Sequence, residues 1–521
     1  MLFSSFPFIF GFLPLALLLT FIVGRYTRPG AKLVLTILSL GFYAWWKPIH
    51  LPLLVGSILF NYVVGGIIQR AYAKGENGKV KAWLIFGLVV DISLLGWFKY
   101  ANFFTDNINL AFGAGIQLEH VVLPLAISFF TFQKVAYLID SAQGDARPMT
   151  LLDFGLFAAF FPQLISGPIV HYKEMVPQIQ GPLFARWISR NFMIGLVIFA
   201  IGLFKKAVIA DTFALQVDPL YAQAASGGAF GFVGGWAAAL TYMLQLYFDF
   251  SGYSDMAIGL ARMFGIKLPL NFHSPLRAVS IIEFWRRWHM TLQRFLTAYV
   301  FQPVALPLNR FAAMKGLGST GTYWVGLAAP TFFTFFVSGF WHGAGWNFII
   351  WGLMHAGYVT VNEFWRSRRN RKRKAMKKLK QVMREPGPIE ITFYHVLTVI
   401  AVIVSMVIFR TPTAEHAFRI WAGMTGINGW MTAGDAPNVS PWIWVSVVLG
   451  FAVVFLCPNS QQIMGRFNPA FNWNEWKTVG RAPLHWTWRP NAFGIAFAGV
   501  ALFLGIMFVQ RGAAVFLYFN F

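Results

Sequence analysis

The chain has 521 residues, of which 57% are hydrophobic, 18% are aromatic and 12% are charged. Because globular proteins carry roughly 25% charged residues, this composition excludes an ordinary water-soluble domain and indicates a multi-pass membrane protein. The single cysteine, Cys457, excludes an internal disulfide and a cysteine-based metal cluster, so we expect it to serve only in packing.

Apolar segments recur along the whole chain. They lie near residues 6–24, 31–47, 51–69, 82–98, 120–139, 151–170, 191–212, 229–250, 322–341, 345–362, 392–409, 441–457 and 491–510. A spanning helix takes about 20 apolar residues, and several segments are shorter. Pro162, Gly167 and Pro168 interrupt one of them, and the freed backbone groups then need protein neighbours or a cavity. We therefore predict an all-α membrane protein with about 11 spans plus re-entrant and interfacial helices, forming one domain over residues 1–521.

Basic residues cluster after particular spans. They follow the first span in residues 25–32, the third in residues 70–81 and later spans in residues 366–384 and 466–489, whereas residues 101–120 contain no Lys or Arg. The positive-inside rule places such clusters in the cytoplasm. We therefore predict a protein of the bacterial inner membrane with both termini in the periplasm. The first apolar segment lacks a preceding positive region, so we interpret it as a retained span and not as a signal peptide.

Residues 366–384 contribute much of the net charge of +23, because they contain eleven Lys and Arg residues and no acid. No aromatic platform or recognition motif for nucleic acid accompanies them, so we expect no nucleic-acid partner. We interpret the segment as a basic cytoplasmic loop that contacts anionic membrane lipids. The alternative is that it recruits an acidic acyl-carrier partner.

Residues 316–362 contain no Asp, Glu, Lys or Arg, yet they hold His342 and His355. An ionisable side chain inside a membrane is a functional candidate by default. The imidazole of His342 is suited to take a proton from a hydroxyl that attacks an activated acyl carbon; the alternative is a packing histidine bonded to a backbone carbonyl. His355 would lie about 20 Å further along a continuous helix, so we expect it to be structural.

Residues 247–310 are unusually polar. Within them, Glu283 and Arg287 are four residues apart, on one face of a helix, and Arg286 and His289 share a neighbouring face. This pattern predicts an amphipathic helix near the cytoplasmic interface. Its apolar residues would lie in lipid or in protein: Phe284, Trp285, Trp288 and Leu292.

His289 has two interpretations: a residue on a solvated basic face, or a second polar group at the cytoplasmic mouth of a channel that leads to His342. Arg286 and Arg287 are suited either to anchor the phosphates of a soluble acyl donor or to hold lipid headgroups, and the sequence leaves both open.

Motifs for other chemistries are missing. Asp249 and Asp255 lie six residues apart in an aromatic stretch, without the spacing of known metal ligands. The nucleophile motif of serine hydrolases and the phosphate-binding motif of ATPases are also absent. We therefore predict no metal site and no permanently bound cofactor.

Eight short motifs carry a resemblance, and they lie at residues 42–46, 97–103, 123–133, 161–168, 245–257, 283–289, 341–343 and 516–521. In this order they resemble the membrane-bound O-acyltransferase family, in particular its bacterial branch of alginate O-acetylation and teichoic acid D-alanyl transfer proteins. The resemblance extends over nearly the whole chain.

The resemblance implies that His342, in the motif Trp341-His342-Gly343, is the catalytic histidine and that His289 lines the same tunnel. It also implies a ring of helices around a thinned centre, where a cytoplasmic funnel meets an external opening. We assign the remaining candidate substrate-binding residues to the polar motifs and to the segment after His342: Glu283, Trp285, Arg286, Arg287, Asp249, Tyr253, Asp255 and Asn347.

Residues 299–310 depart from the family pattern. Relatives have a Gly-Gly pair there, whereas this chain has Pro303 and Pro307. We expect this loop to shape substrate access, so the acceptor need not be alginate.

We therefore predict an acyltransferase that takes an acyl group from acetyl-CoA or an acyl-carrier thioester in the cytoplasm. Acetyl is the acyl group that we favour. The group would cross the inner membrane for O-acetylation of an exported polysaccharide, and a periplasmic or membrane-anchored acetyltransferase partner would complete the transfer. The alternatives are D-alanyl or other acyl transfer to a cell-envelope polymer and, in a different class, a non-catalytic transporter or flippase. A transporter would show internal symmetry and paired broken helices, which the sequence lacks.

Overall fold

The computed structural model describes residues 1–509 and Leu517. These residues form helices and no β-strand, and an isolated bridge joins Pro269 to Phe471. The α-helices in this part of the chain are α1 Leu13–Tyr26, α2 Arg28–Ala44, α3 Leu51–Ala73, α4 Asn77–Phe112, α5 Ile127–Ala142, α6 Leu151–Ala159, α7 Phe161–Leu164, α8 Tyr172–Gln180, α9 Ser189–Leu203, α10 Asp211–Ala225, α11 Phe232–Met263, α12 Ile281–Arg287, α13 Met290–Leu296, α14 Gln302–Met314, α15 Ser319–Tyr323, α16 Ala329–His342, α17 Trp346–Lys378, α18 Pro388–Arg410, α19 Ala414–Thr425, α20 Pro441–Leu456, α21 Ser460–Ile463, α22 Trp473–Trp476 and α23 Ala492–Val509.

The helices confirm the predicted all-α, multi-pass membrane architecture. Seven helical stretches of the described chain are long and apolar enough to cross a bilayer: Pro7–Tyr26, Pro48–Ala73, Asn77–Phe112, Ser189–Ala225, Ser319–His342, Pro388–Arg410 and Ala492–Val509. The expected number of about 11 spans stays a prediction. The last motif, residues 516–521, lies outside the described residues except for Leu517.

Proline and glycine break the segment at residues 151–170 as predicted. α6 ends at Ala159, α7 forms a single turn, and the chain then runs without regular structure to the start of α8 at Tyr172. Every residue from Phe154 to Val170 is buried, so the irregular backbone lies inside the protein, as the lack of water in a bilayer requires.

Helix α11 forms the centre of the molecule. Almost all of its residues from Gly234 to Met263 are buried, because small residues let neighbouring helices approach its backbone. A Cβ atom on Gly259 would lie 2.6 Å from the carbonyl oxygen of Gly195 in α9, and one on Gly252 would lie 2.9 Å from that of Gly202. Close glycine contacts of this kind are typical of helix packing in membranes.

Helices α16 and α17 form a hairpin. The separation of about 20 Å expected for His342 and His355 on a continuous helix does not apply, because Gly343 and Gly345 have extended backbone and α17 starts at Trp346. The hairpin packs closely, since a Cβ atom on Gly352 would lie 2.3 Å from the carbonyl oxygen of Phe335. The reversal brings His342 to Trp351, with ring centroids 5.0 Å apart, and His355 contacts the same ring at 4.9 Å from one turn further along α17.

The predicted amphipathic helix at residues 283–292 is also interrupted. α12 ends at Arg287 and α13 begins at Met290, and His289 between them has a positive φ of 44°. The apolar residues that were expected in lipid or protein are buried in protein: Phe284, Trp285, Trp288 and Leu292. The loop expected at residues 299–310 is helical instead, since a π-helical turn, Thr297–Phe301, leads directly into α14.

One side of the molecule collects basic residues, and we call it the basic face. It carries the short turn between α3 and α4 together with the start of α4, and the lysines there are exposed: Lys74, Lys79 and Lys81. The end of α5 lies on the same side, because a Cβ atom on Gly144 would be 2.4 Å from the ring of Tyr72 in α3. The Lys173 ammonium and the Asp145 carboxylate then pair at 2.7 Å, which brings the start of α8 to this face.

The opposite side, which we call the cavity face, lies at the other ends of these helices. α3 and α4 run antiparallel because only residues 74–76 connect them. Trp46, which precedes α3, and residues 113–126, which follow α4, therefore lie away from the basic face. Most of residues 113–126 are exposed.

Candidate active site

His342 is the last residue of α16, and helix α4 binds the carbonyl groups that this helix end leaves without helical partners. The Tyr100 hydroxyl donates to the Phe340 carbonyl at 2.8 Å, and the Lys99 ammonium donates to the Trp341 carbonyl and to the His342 carbonyl, the latter at 3.4 Å. The ring of Tyr100 also stacks on that of Phe340, with centroids 4.0 Å apart. These contacts fix the backbone that carries His342.

Aromatic rings surround the imidazole of His342, which is only 3% exposed. Trp341, Trp351 and Phe409 contact it edge-on, with ring centroids 4.7, 5.0 and 5.2 Å away. The indole N–H groups of Trp341 and Trp351 are buried and have no hydrogen-bond partner among the described residues. Native proteins rarely leave buried donors unpaired. The unpaired indole N–H groups next to His342 therefore indicate a place for a ligand.

A cavity of about 100 Å³ reaches His342. Its walls come from the chain before α3, from α4, from the start of α5, from the broken segment after α7 and from the end of α16: Trp46, Lys99, Leu123, Pro124, Leu125, Ala126, Ile127, Ser128, Phe129, Ile165, Ser166, Trp341 and His342. Since residues 46 and 123–126 belong to the cavity face, the cavity approaches His342 from the side opposite the basic face.

His289 is buried and held by a hydrogen-bond network. Its Nδ1 lies 3.0 Å from the Asn271 Oδ1 atom, which also accepts from the Thr291 hydroxyl at 2.9 Å, while Asn271 Nδ2 donates to the Ser254 hydroxyl at 3.1 Å. The Ile169 backbone N–H donates to the Thr291 hydroxyl at 3.0 Å. Because Asn271 Oδ1 is an acceptor, Nδ1 of His289 carries the proton, and Nε2 is the basic nitrogen.

The structure brings the two candidate catalytic histidines to the same tryptophan. The ring centroid of Trp341 lies 6.3 Å from that of His289 and 4.7 Å from that of His342. The interpretation of His289 as a residue on a solvated face is wrong, because it is only 1% exposed.

His355 has a partner for each ring nitrogen, in agreement with the structural role expected for it. The indole N–H of Trp285 donates to its Nδ1 at 3.2 Å, and its Nε2 lies 2.9 Å from the Ser405 hydroxyl. Trp285 is thereby joined to the α16–α17 hairpin, one layer away from His342. Asn347 similarly ties the start of α17 to the end of α18, donating to the Thr411 carbonyl at 2.9 Å.

The charged residues of α12 divide between two environments. Arg287 is buried and pairs with Glu283, whose carboxylate also accepts from the Val279 backbone N–H at 2.9 Å. Arg286 is exposed and lines a groove of about 540 Å³ together with Arg294 and Glu475. Arg294 pairs with Glu174 of α8, so this groove lies on the basic face.

The acidic residues of α11 lie in buried ion pairs and do not line the cavity. Asp249 pairs with Lys206 at 2.8 Å and accepts from the backbone N–H of Leu517 at 3.1 Å. Asp255 pairs with Lys205 at 2.8 Å and also accepts from side chains of α21. No group of three His, Cys, Asp or Glu residues in the described chain is arranged to hold a metal ion.

Tyr253 borders the cavity indirectly. A hydrogen bond links its hydroxyl to the backbone of Ser166, which is part of the cavity wall, and its ring stacks on that of Phe3 at 4.9 Å. The two predicted catalytic residues therefore meet at Trp341, whereas the predicted substrate-binding residues are spread over the groove, the ion pairs and the helix contacts.

Sequence reasoning missed the polar groups closest to the two histidines. Lys99 and Ser128 line the cavity, and Asn271 holds His289. Lys99 had a usable signal, because a lone lysine next to the apolar run 82–98 is an ionisable group at membrane depth. Asn271 had none, since it lies 18 residues from His289 in an irregular segment.

Comparison with known proteins agrees with this architecture. The model of the membrane-bound O-acyltransferase family matches residues 81–407. A peptidoglycan O-acetyltransferase of Helicobacter pylori is 40% identical over 456 residues, covering 82% of this chain and 80% of that protein. A probable alginate O-acetylase of Pseudomonas aeruginosa is 38% identical over 438 residues, and the match covers 82% of this chain and 76% of that protein.

A more distant relative is a teichoic acid D-alanyltransferase of Streptococcus thermophilus. It is 31% identical over 242 residues, and the match covers 46% of this chain and 57% of that protein. The family match includes α4, the α12–α13 break and the α16–α17 hairpin, which are the elements that hold the two histidines. The chain belongs to the membrane-bound O-acyltransferase family and is an O-acyltransferase.

Proposed function

We propose that this enzyme transfers an acetyl group from a cytoplasmic thioester to a hydroxyl of an exported polysaccharide, with His342 as the general base. The observation that carries the proposal is the cavity that reaches His342 from the cavity face, where the buried indole N–H of the lining residue Trp341 has no partner among the described residues. The names of the relatives support the acyl group and the acceptor class, since those that cover 82% of the chain are O-acetylating enzymes for peptidoglycan and alginate.

In the proposed reaction, the acceptor hydroxyl enters the cavity and gives its proton to the His342 imidazole. Its oxygen forms a bond to the thioester carbonyl carbon, and the carbonyl electron pair moves onto oxygen. When this intermediate collapses, the carbon–sulfur bond breaks and the thiolate leaves. The imidazolium of His342 returns the proton to the thiolate, so the products are an ester and a thiol. Thioesters need no further activation, so ATP is not required.

His289 is proposed to act on the donor side of Trp341. The hydrogen bond from its Nδ1 to Asn271 leaves Nε2 as an acceptor, suited to accept a hydrogen bond from an N–H or O–H group of the donor molecule. Donor entry from the basic face is supported by the groove that holds Arg286 and Arg294 and by the positive-inside rule, which assigns that face to the cytoplasm. Both chain termini then lie in the periplasm.

The membrane is the bacterial inner membrane in this proposal, because the donor is cytoplasmic and the acceptor is exported. A periplasmic or membrane-anchored acetyltransferase partner is proposed to receive the acetyl group where the polymer itself cannot enter the cavity. D-alanyl transfer is the second candidate. It is supported by a relative that covers only 46% of the chain, so acetyl transfer is preferred.

The test uses inside-out membrane vesicles, which expose the cytoplasmic face. Radiolabelled acetyl-CoA is added outside, and oligosaccharides of mannuronate or of peptidoglycan are trapped inside. We expect label to appear on the trapped oligosaccharide as an alkali-labile ester, and a flippase would produce no new ester. The variant His342→Ala should abolish this transfer, and the exposed control His485→Ala should not change it.

Equal transfer by wild-type enzyme and a well-inserted His342→Ala variant would overturn the role of His342. Release of coenzyme A with no ester on either oligosaccharide would overturn the acceptor class. If the enzyme transfers label from a D-alanyl thioester on a carrier protein and not from acetyl-CoA, the second candidate is supported. Labelling of an engineered cysteine at residue 79, on the basic face, from outside intact cells would overturn the proposed sidedness.

A further inference from the structure

We propose that Lys99 is a catalytic residue whose ammonium group stabilises the negative charge that forms on the acyl carbonyl oxygen beside His342. This inference rests on the proposed function of His342 and adds a second group to the same cavity. Lys99 lies on α4, 22 residues after Asn77, and is half-buried with its exposed part facing the cavity.

The first argument concerns the charge. Among the described residues no carboxylate lies within 4.0 Å of the Lys99 ammonium. Its neighbours are two carbonyl groups, the Ser128 hydroxyl and the ring of Trp341, whose centroid is 5.7 Å away. A cation without a counter-ion at membrane depth is expensive to maintain, so a reason for the charge is needed.

Capping the end of α16 does not supply that reason. The carbonyl groups of the last helical turn need hydrogen-bond donors, and a neutral donor is enough, as the adjacent Tyr100 hydroxyl demonstrates at Phe340. A cation at a helix C-terminus adds only a small stabilisation, whereas withdrawing an unpaired charge from water has a much larger cost. A glutamine would therefore hold the Trp341 carbonyl at lower cost than a lysine.

The second argument concerns hydrogen-bonding capacity. The Lys99 ammonium has three N–H donors, and only the contact with the Trp341 carbonyl is close. The contacts with the His342 carbonyl and the Ser128 hydroxyl are both 3.4 Å long, whereas charge-assisted N–H···O bonds are typically about 2.7–2.9 Å. One N–H group can therefore turn from these long contacts to a substrate oxygen in the cavity with little loss.

The third argument concerns position. Lys99 contacts the backbone of His342 itself, so the cation and the proposed base are held together by the same helix end. In the proposed reaction His342 deprotonates the attacking hydroxyl, and the carbonyl electron pair moves onto the acyl oxygen. A cation held beside His342 is suited to stabilise the negative charge on that oxygen, and removing one such donor in other enzymes costs about 10²–10³-fold in kcat.

The test compares Lys99→Gln, Lys99→Arg and Lys99→Met with the exposed control Lys81→Gln from the same helix, using acetyl-CoA and the vesicle assay. We expect Lys99→Gln to lose about 10²-fold in kcat, with KM within about threefold and an unchanged thermal unfolding midpoint, because glutamine keeps the donor to Trp341. Lys99→Arg should recover part of the loss. Wild-type kcat in Lys99→Gln, or a loss that follows thermal stability through the series, would overturn the proposal.

A chemical rescue keeps the test decisive if these variants fold poorly. Lys99→Cys is prepared in a Cys457→Ser background and treated with 2-bromoethylamine, which restores an ammonium, or with iodoacetamide, which adds a neutral amide. We expect kcat to rise at least about tenfold with the ammonium and not with the amide. Equal activity of the two products would refute the role of charge. If the wild-type enzyme and His342→Ala transfer acetyl equally well, the proposed function fails instead.

Discussion

Replacing Gly343 by alanine should disturb the imidazole of His342 without touching it. Gly343 has extended backbone, which alanine adopts easily, so the effect is purely steric. A Cβ atom at this position would lie 2.0 Å from Cε2 and 2.2 Å from Cδ2 of Phe348, whereas ordinary contact begins at 3.4 Å. The Phe348 ring or the chain at residue 343 must therefore move by about 1.4 Å, the difference between 3.4 and 2.0 Å.

A movement of the Phe348 ring is transmitted to the His342 imidazole through Phe409. The ring of Phe348 contacts that of Phe409 edge-on at 5.2 Å, and Phe409 contacts the His342 imidazole at 5.2 Å. Overpacking of this kind typically costs about 1–3 kcal/mol, and misplacing a catalytic group by about 1 Å can cost about 10²-fold in rate. We expect Gly343→Ala to lower kcat by about 10²-fold and to lower the unfolding midpoint by a few degrees.

The measurement is the vesicle acetyl-transfer assay together with thermal unfolding in detergent. Gly357→Ala is the matched control, because it lies in α17 and a Cβ atom there meets nothing within 4 Å. The second substitution Phe348→Ala should restore part of the activity of Gly343→Ala, because it removes all of the ring atoms that clash with the new Cβ; neighbouring residues show such coupling in double-mutant cycles. Activity of Gly343→Ala within twofold of wild type would refute the steric argument.

Three further predictions concern groups around the site. Asn271→Ala should lower kcat by about 10²-fold, because His289 loses the partner that selects its tautomer; a wild-type kcat would contradict this. Arg286→Gln should raise the KM for acetyl-CoA more than it lowers kcat, whereas Arg287→Gln should mainly lower thermal stability; an unchanged KM in Arg286→Gln would point to lipid anchoring. Neutralising half of the basic residues at 366–384 should leave transfer from acetyl-CoA intact and weaken membrane association, since each is worth about 1 kcal/mol near anionic lipid. Selective loss of transfer from an acyl-carrier protein would instead support recruitment of an acidic carrier.

The structure changes the picture of that basic segment. Its first part, up to Lys378, continues helix α17 without a break, so it projects along the axis of that helix. Arg371 donates to the Ser319 hydroxyl at 3.3 Å, close to the start of the Ser319–His342 span, and the segment forms few ion pairs with acidic residues. A projecting helix of this kind presents its charges to soluble partners as well as to lipid.

The sequence by itself determined the class and the helical architecture, and it predicted the two candidate histidines. Composition and apolar run length report how much of the chain can lie in lipid, and a break at Pro162 or Gly167 is a local property of the backbone. The eight motifs, Trp341-His342-Gly343 among them, identified the family, since short motifs of this kind carry information that no average over the chain contains.

Only the tertiary structure decided which polar groups meet. The turn at residues 343–345 brings His342 beside Trp351 of α17, and the break before Met290 turns His289 into the interior. Neither follows from helical periodicity, because each depends on packing against distant helices. Asp249 and Asp255 appeared as site candidates for the same reason: their lysine partners lie more than 40 residues earlier in the chain. Lys99 reaches the His342 carbonyl across more than 240 residues of sequence, a contact that only the folded arrangement of α4 and α16 creates.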